Sequence, residues 1–255
     1  MKVVLIGSGN VAAVLGLAMI QAGHTIVQVY SRQARHAAEL AQQLGAAYCS
    51  SLETLQQGAD VYIIAVTDTA LPVIAGELQL GNSIVVHTSG SGGIELLRGC
   101  SSRYGVLYPL QSLRKEVRPL PVIPLLVEGS DGGVEELLLQ FARSVSPLVM
   151  AAGSAQRLKL HLSAVFVSNF TNYLYMLAEA YCREQGLDFR YLVPLIKETA
   201  GRIEYASPAD VQTGPAIRND EITIRKHLDL LQHNEPARRI YALLTEAIRE
   251  RFVGN

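Results

Sequence analysis

The chain opens Met1-Lys-Val-Val-Leu-Ile-Gly7-Ser-Gly9-Asn-Val-Ala12, and this stretch constrains the fold more than any other because it joins a buried strand to a glycine turn and a helix start. Val3 to Ile6 is a continuous apolar run suited to a central parallel strand. Gly7 supplies the tight turn on leaving it, Gly9 lets the backbone approach a ligand, and Ala12 is small enough for the next helix to pack closely on the strand. That helix, Val11 to Gln21, would turn its N-terminal amides toward a phosphate. A glycine turn with no ligand looks the same locally. The context favours a phosphate cradle of Gly7, Ser8, Gly9, Asn10 and Val11: the helix ends at Ala22-Gly23-His24, and a second strand, Thr25 to Tyr30, follows at the spacing of a βαβ unit.

The end of that second strand bears on which dinucleotide would fit. An Asp or Glu about 20 residues beyond the glycines would bond the ribose 2′-hydroxyl of NAD. The chain instead reads Tyr30-Ser31-Arg32-Gln33-Ala34-Arg35. A guanidinium is planar and always charged, and so matches a 2′-phosphate. NADP is therefore expected as the cofactor, held by Ser31 and Arg32. The same residues would also suit a solvated basic helix start, although a cation there opposes the helix dipole and needs a partner.

With 255 residues, 49% of them hydrophobic, the chain can bury a substantial core without staples. Its 22 basic and 23 acidic residues leave a formal charge of −1 and no basic run, so neither nucleic acid nor an anionic membrane is implied. A small-molecule substrate is the expected partner. The three cysteines, Cys49, Cys100 and Cys182, are odd in number and lack metal-ligand spacing. They suit reduced thiols in the cytoplasm, with no disulfide framework and no metal site. Lys2 and the apolar residues after it superficially resemble a secretory signal, but the glycine turn divides them. A second apolar stretch, Leu160 to Cys182, holds His161, Ser168, Asn169, Asn172 and Glu179, which are expensive in lipid. A protein interior is its expected place.

Further strands are expected at Ala46–Cys49, Val61–Val66, Ser83–His87, Gly105–Tyr108, Val122–Val127 and Pro147–Met150. Helical segments alternate with them at Arg35–Leu44, Leu52–Gln57, Leu71–Leu78 (capped by Thr67 or Asp68) and Gly133–Val145. This alternation predicts an α/β domain with a doubly wound, mostly parallel sheet. Near Ala151-Ala-Gly-Ser154 the pattern becomes wholly helical, so residues 1–152 are expected to form a dinucleotide-binding domain and residues 153–255 an all-helical one. The helical part begins with one long helix, Ala155–Gln185. Helices at Arg190–Ala200, Asp220–Leu231 and Glu235–Phe252 follow, the last capped by Asn234 with Pro236 in its first turn.

A Gly7-x-Gly9-x-x-Ala12 domain followed by a helical domain with a long apolar first helix resembles the 6-phosphogluconate dehydrogenase-like superfamily, which includes ketopantoate reductase, pyrroline-5-carboxylate reductase and prephenate dehydrogenase. Tyr108-Pro-Leu-Gln-Ser112, His161-x7-Asn169 and Thr213-Gly-Pro-Ala-x-Arg218 look more closely like a group of uncharacterised bacterial Rossmann-like oxidoreductases. The resemblance covers nearly the whole chain. It implies a Rossmann-type domain, a nicotinamide cofactor, oxidoreductase activity and dimerisation through the helical domain. The chain departs from that group at Tyr108, where His is usual, and at Asn219, where Gly is usual, so no proton role is carried over to residue 108. Reductases of the superfamily use a Lys and an Asn on the long helix, and Lys159 lies off the polar face described next.

At about 100° per residue, His161, Ser168, Asn172, Tyr175 and Glu179 fall on one stripe of the long helix, with Asn169 at its edge. Buried polar groups need partners, and a substrate would supply them, as would neighbouring helices or a second subunit. His161 is the residue of the stripe that exchanges protons near neutral pH, which makes it the candidate general acid. A core histidine bonded to backbone would read identically. Ser168 and Asn169 would orient the reacting group. Arg218 would clamp a substrate carboxylate, with Asp220 fixing it or capping the next helix. Val66, Thr67 and His87 stand at strand carboxyl ends, where doubly wound sheets bind ligands, and Gln111 is expected nearby. The expectation is a cytoplasmic, homodimeric, NADP-dependent oxidoreductase that delivers hydride to a small carboxylate-bearing carbonyl or imine between its domains. The alternative is a non-catalytic NADP-binding or sensory dimer.

Overall fold

The computed structural model describes residues 1–253, which form two compact units, Met1–Phe170 and the described residues from Thr171 onward. The first holds the sheet: β1 (Lys2–Ile6), β2 (Thr25–Tyr30), β3 (Ala47–Cys49), β4 (Val61–Ile64), β5 (Ile84–His87), β6 (Arg103–Pro109), β7 (Leu125–Gly129) and β8 (Val149–Ala151). Their order is β3-β2-β1-β4-β5-β6-β7-β8, and every neighbouring pair is parallel except β6 with β7. The chain winds from β1 outward to β3 and then returns to β4 on the other side. Such a reversal opens a crevice at the carboxyl ends of the strands, and Gly7 sits there.

Successive side chains of a strand face opposite sides of the sheet, and both sides are covered. Val3 and Leu5 join one core with Leu15 of α1 (Asn10–Gln21), Leu40 of α2 (Ala34–Leu44) and Phe141 of α4 (Gly132–Val145). Val4 and Ile6 join the other with Tyr62 and with Ile74 of α3 (Leu71–Glu77). Burial on both faces is why β1 reads as an unbroken apolar run. The expected strand over Val122–Val127 starts late, at Leu125, because Pro124 has no amide for the ladder. Only its carbonyl is used, by the Leu110 N–H at 2.8 Å. The expected cap of α3 is also different: Ala70 holds the N-cap position with no side-chain bond.

The expected long helix runs from Ser154 to Glu184, but not as one α-helix. α5 (Ser154–Ala164) gives way to a π-helical turn over Val165–Phe170, after which α6 (Thr171–Glu184) resumes. A π-turn closes i→i+5 bonds and so winds fewer degrees per residue than an α-turn. The stripe calculated at α-helical pitch therefore does not continue unbroken through it. Nor is this stretch interior: Leu162, Phe166, Val167 and Phe170 are each more than half exposed. The unit holding the sheet extends past the expected boundary at 152/153 because Arg157 and Leu160 of α5 pack against it.

The second unit contains α6, α7 (Val193–Gly201), α8 (Glu221–Leu230) and α9 (Glu235–Phe252). The predicted start of α7 at Arg190 is a 3-10 turn, Phe189–Leu192, and the α-helix begins where Pro194 fits its first turn. Asp220 caps α8 and Asn234 caps α9. His227 Nδ1 lies 2.8 Å from the Tyr241 hydroxyl, and Arg249 pairs with Glu221. Asn219 adopts a φ of 53°. This is the left-handed region where Asn is the best tolerated substitute for glycine, so the departure from Gly at this position costs little. Among the described residues of this unit, the buried hydrophobics are Cys182, Ala216, Ile224 and Ala237, while Tyr191, Leu195, Ile222, Leu230 and Leu243 are exposed.

Candidate active site

A cavity of about 560 Å³ lies at the carboxyl ends of β1, β2 and β4, lined by Gly7, Ser8, Gly9, Asn10, Val11, Tyr30, Ser31, Arg32, Val66 and Thr67 among others. Gly7 has a φ of +129°, and a Cβ there would stand 2.1 Å from the Ala65 carbonyl oxygen. The backbone reaches the crevice only without a side chain. At Gly9 a Cβ would meet nothing within 4 Å, so open space faces the start of α1. Gly9 is the N-cap of that helix, no side chain caps it, and its first turn carries no acid. The free amides and positive dipole end are thus left for an anion. These features fit a dinucleotide pyrophosphate.

At the β2 side of the cavity the Ser8 hydroxyl donates to the Ser31 hydroxyl at 3.0 Å. Of the two nearby guanidinium groups, Arg35 is held by Glu39 at 2.7 Å. Arg32 is exposed on the cavity wall, and no ion pair or hydrogen bond holds it among the described residues. Sequence reasoning did not place Glu77, from the end of α3, on the same wall. Burial and then the Glu77 carboxylate raise the Tyr30 phenol pKa, and Arg32 opposes them. Both charges therefore act near that ring.

Farther along the same rim, the turn after β5 is fixed at many points. His87 is fully buried. Its Nδ1 accepts from the Ser89 N–H at 3.1 Å, which puts the ring proton on Nε2, 3.2 Å from the Gly93 carbonyl. Desolvation lowers its pKa to about 4, against a smaller upward pull from the Gly93 bond. The ring spans the turn, and His87 is not among the residues that line the cavity. The Ser89 hydroxyl accepts from Ser91 and Gly92, and the Ser91 hydroxyl donates to Asp68 at 2.8 Å. Asp68 thus ties two rim loops together instead of capping a helix.

Arg157 completes this support. It is 1% exposed, pairs with Glu128 of β7 at 2.5 Å, and donates to the Gly92 carbonyl at 2.5 Å. The Ser154 hydroxyl also donates to Glu128. Truncating one partner of such a buried pair strands the other charge. In sequence, Gln156-Arg157-Leu158-Lys159 looks like an ordinary solvated helix start, and nothing local marks the arginine.

His161 stands one turn beyond Arg157 on α5, half-buried, with Nδ1 2.8 Å from the Tyr108 hydroxyl. Tyr108, to which no proton role was carried over from the family resemblance, is therefore the direct neighbour of the candidate acid. Ser168 is half-buried and Asn169 exposed, both within the π-turn. Arg218 is exposed and belongs to the helical unit, where Asp220 bonds Thr223 as the cap of α8 and not the guanidinium. Gln111 is engaged within its own loop, with Val122 and Ser112. Among the described residues, no group of three His, Cys, Asp or Glu side chains could hold a metal ion.

Residues 2–90 match the family described as NADP oxidoreductase coenzyme F420-dependent, and residues 123–248 match a domain of unknown function, DUF2520. No curated protein matches the chain. Among solved structures, the chain is similar to the "putative NADP oxidoreductase BF3122" of Bacteroides fragilis, with 38% identity over 98% of each chain and a TM-score of 0.91. It is also similar to protein TM1727 of Thermotoga maritima, with 23% identity over 97% of each chain and a TM-score of 0.72. A reductive aminase from Aspergillus terreus shares the fold at 15% identity, covering 98% of this chain and 94% of that one, with a TM-score of 0.73. By the extent of its match to the Bacteroides fragilis protein, the chain belongs to that NADP oxidoreductase family, on the 6-phosphogluconate dehydrogenase-like fold.

Proposed function

We propose that the chain binds NADP in preference to NAD, with the pyrophosphate on the residues from Gly7 to Val11, the 2′-phosphate on Ser31 and Arg32, and Val66 and Thr67 against the cofactor. One observation carries this reading: side chains and amides from three strand ends line a single cavity in which Arg32 has no ion-pair or hydrogen-bond partner among the described residues. When bound, the cofactor supplies hydride. The substrate is a small carbonyl or imine. The reductive aminase of the same fold was solved with NADPH and ethyl-5-oxohexanoate, which makes keto compounds and imines the first classes to try.

In this reading His161 gives a proton to the oxygen or nitrogen that gains the electron pair as hydride reaches carbon. Ser168 and Asn169 orient that group. In the helical unit, Arg218 is the exposed guanidinium proposed for a substrate carboxylate. Residues 1–152 act as the dinucleotide-binding domain, and residues 153–255 serve substrate binding and homodimerisation. The large apolar side chains exposed along 162–170 and in the helical unit support a second copy as their cover. Free, buried Cys49, Cys100 and Cys182 suit a cytoplasmic location. Among the described residues, no helix is long and apolar enough to cross a membrane.

The test is NADPH oxidation across a panel of keto acids and cyclic imines. Turnover with at least one compound is expected, and His161→Ala should lower it by about 10²–10⁴-fold with NADPH affinity nearly unchanged. A stable His161→Ala protein with full turnover would remove the proton role while leaving the cofactor site intact.

A further inference from the structure

We propose that Tyr108 is the positioning residue of His161: its phenol donates to Nδ1, Nε2 is thereby the ring nitrogen presented to a ligand, and residue 90 must be glycine for the two rings to meet. This rests on the reading of His161 as proton carrier.

The Tyr108 hydroxyl and His161 Nδ1 lie 2.8 Å apart, and the rings meet edge to face at 75° with centroids 5.8 Å apart. Tyr108 is only 9% exposed, and His161 is the one hydrogen-bond partner of its hydroxyl among the described residues. If Nδ1 carried the proton and donated, the phenol hydrogen would be left without an acceptor in a nearly dry place. Burial pushes the phenol pKa up, so the hydroxyl keeps its hydrogen to give. A neutral ring accepting at Nδ1 carries its proton on Nε2, which has no partner among the described residues. In the protonated ring both nitrogens donate and the hydroxyl turns to accept from Nδ1, at the cost of an unpartnered phenol hydrogen. Nε2 is thus presented as a donor in either charge state. Once Nε2 has given its proton away, the ring is left protonated on Nδ1 and returns to the resting tautomer by proton exchange with solvent.

Gly90 makes this arrangement sterically possible. A Cβ there would stand 2.8 Å from His161 Nδ1 and 3.0 Å from Tyr108 Cε2, wedged at the bond itself. The turn cannot easily retreat. Arg157 holds the turn through the Gly92 carbonyl and is the i−4 neighbour of His161 on α5, on the same face of the helix. One helix therefore clamps the turn and lays the imidazole over its glycine.

Long-range ¹⁵N–¹H spectra of the full chain labelled in its six histidines, recorded above the pH of imidazole titration, test the proposal without a substrate. His161→Ala assigns the signal. The expected result is a protonated Nε2 and an unprotonated Nδ1 whose shift is that of a hydrogen-bonded acceptor. Tyr108→Phe and Gly90→Ala should each move Nδ1 toward the shift of a bare imidazole nitrogen. A protonated Nδ1 in the unmodified protein would overturn the proposal even if a variant failed to fold, as would an Nδ1 shift unmoved in Tyr108→Phe. With any substrate turned over, Tyr108→Phe should lower kcat by about tenfold, the worth of one hydrogen bond, with KM within about twofold. An unchanged kcat would also count against the positioning role. Full turnover in His161→Ala would instead defeat the proton-carrier reading and leave the spectra to stand alone.

Discussion

Gly7 meets two demands at once, a φ of +129° and a neighbouring carbonyl 2.1 Å from where a Cβ would be. Gly7→Ala must therefore push β1 and β4 apart or abandon the turn. Loss of NADPH binding is expected, with a lowered melting temperature, and both are read by titration and thermal unfolding. His87 makes a different kind of prediction. Its folded pKa of about 4 lies below its ordinary value of 6.5, so between these values the unfolded chain binds the extra proton and stability falls as pH drops. The contribution is complete above about pH 6.5 and is lost toward pH 4, by up to about 3 kcal/mol. Melting temperatures at pH 7.5 and 4.5 should therefore fall less for His87→Gln than for the unmodified protein. At this scale, legibility followed sequence distance. That Gly7 to Val11 and Ser31-Arg32 would line one crevice was readable because the motif is local, whereas Tyr108 and His161 meet across 53 residues. Arg157 owes its meaning to Glu128 and Gly92, which no local pattern connects.

Among the elements, the strands buried on both faces were the plainest in sequence, since β1, β4 and β5 each hold a continuous apolar run. Proline chemistry displaced the start of β7, and a π-turn interrupted the long helix. Neither the turn nor its effect on the polar stripe has a signature in apolar spacing, because that spacing presumes a constant pitch. The same helix carries the clearest surface prediction. Val167 is 75% exposed in the π-turn, beside Phe166 and Phe170, which meet edge to face. If a second copy covers this face, Val167→Asp should shift the species from dimer to monomer in light scattering at micromolar concentration while leaving the helix content by circular dichroism unchanged. An unmodified protein that is already monomeric would contradict it.

On the scale of the whole molecule, alternating strands and helices followed by helices alone were enough to give a doubly wound, mostly parallel sheet and a helical part after it, while the family resemblance came from the glycine motif and the three later motifs. The extent of each compact unit was not readable in this way, because α5 reads as helical-domain sequence yet is tied to β7 and to the turn after β5 through one buried arginine. The cofactor reading gathers these scales, since the sheet order makes the crevice, α1 offers its amides and Arg32 waits on the wall. Its most direct test is calorimetric titration of NADPH and NADH into the unmodified protein and into Arg32→Ala. NADPH should bind at least several-fold more tightly than NADH. Arg32→Ala should weaken NADPH by about 10- to 100-fold, the worth of a hydrogen bond to a charged group, and leave NADH nearly unchanged. Equal affinities for the two cofactors in the unmodified protein, or an Arg32→Ala variant that keeps the full preference, would contradict the account.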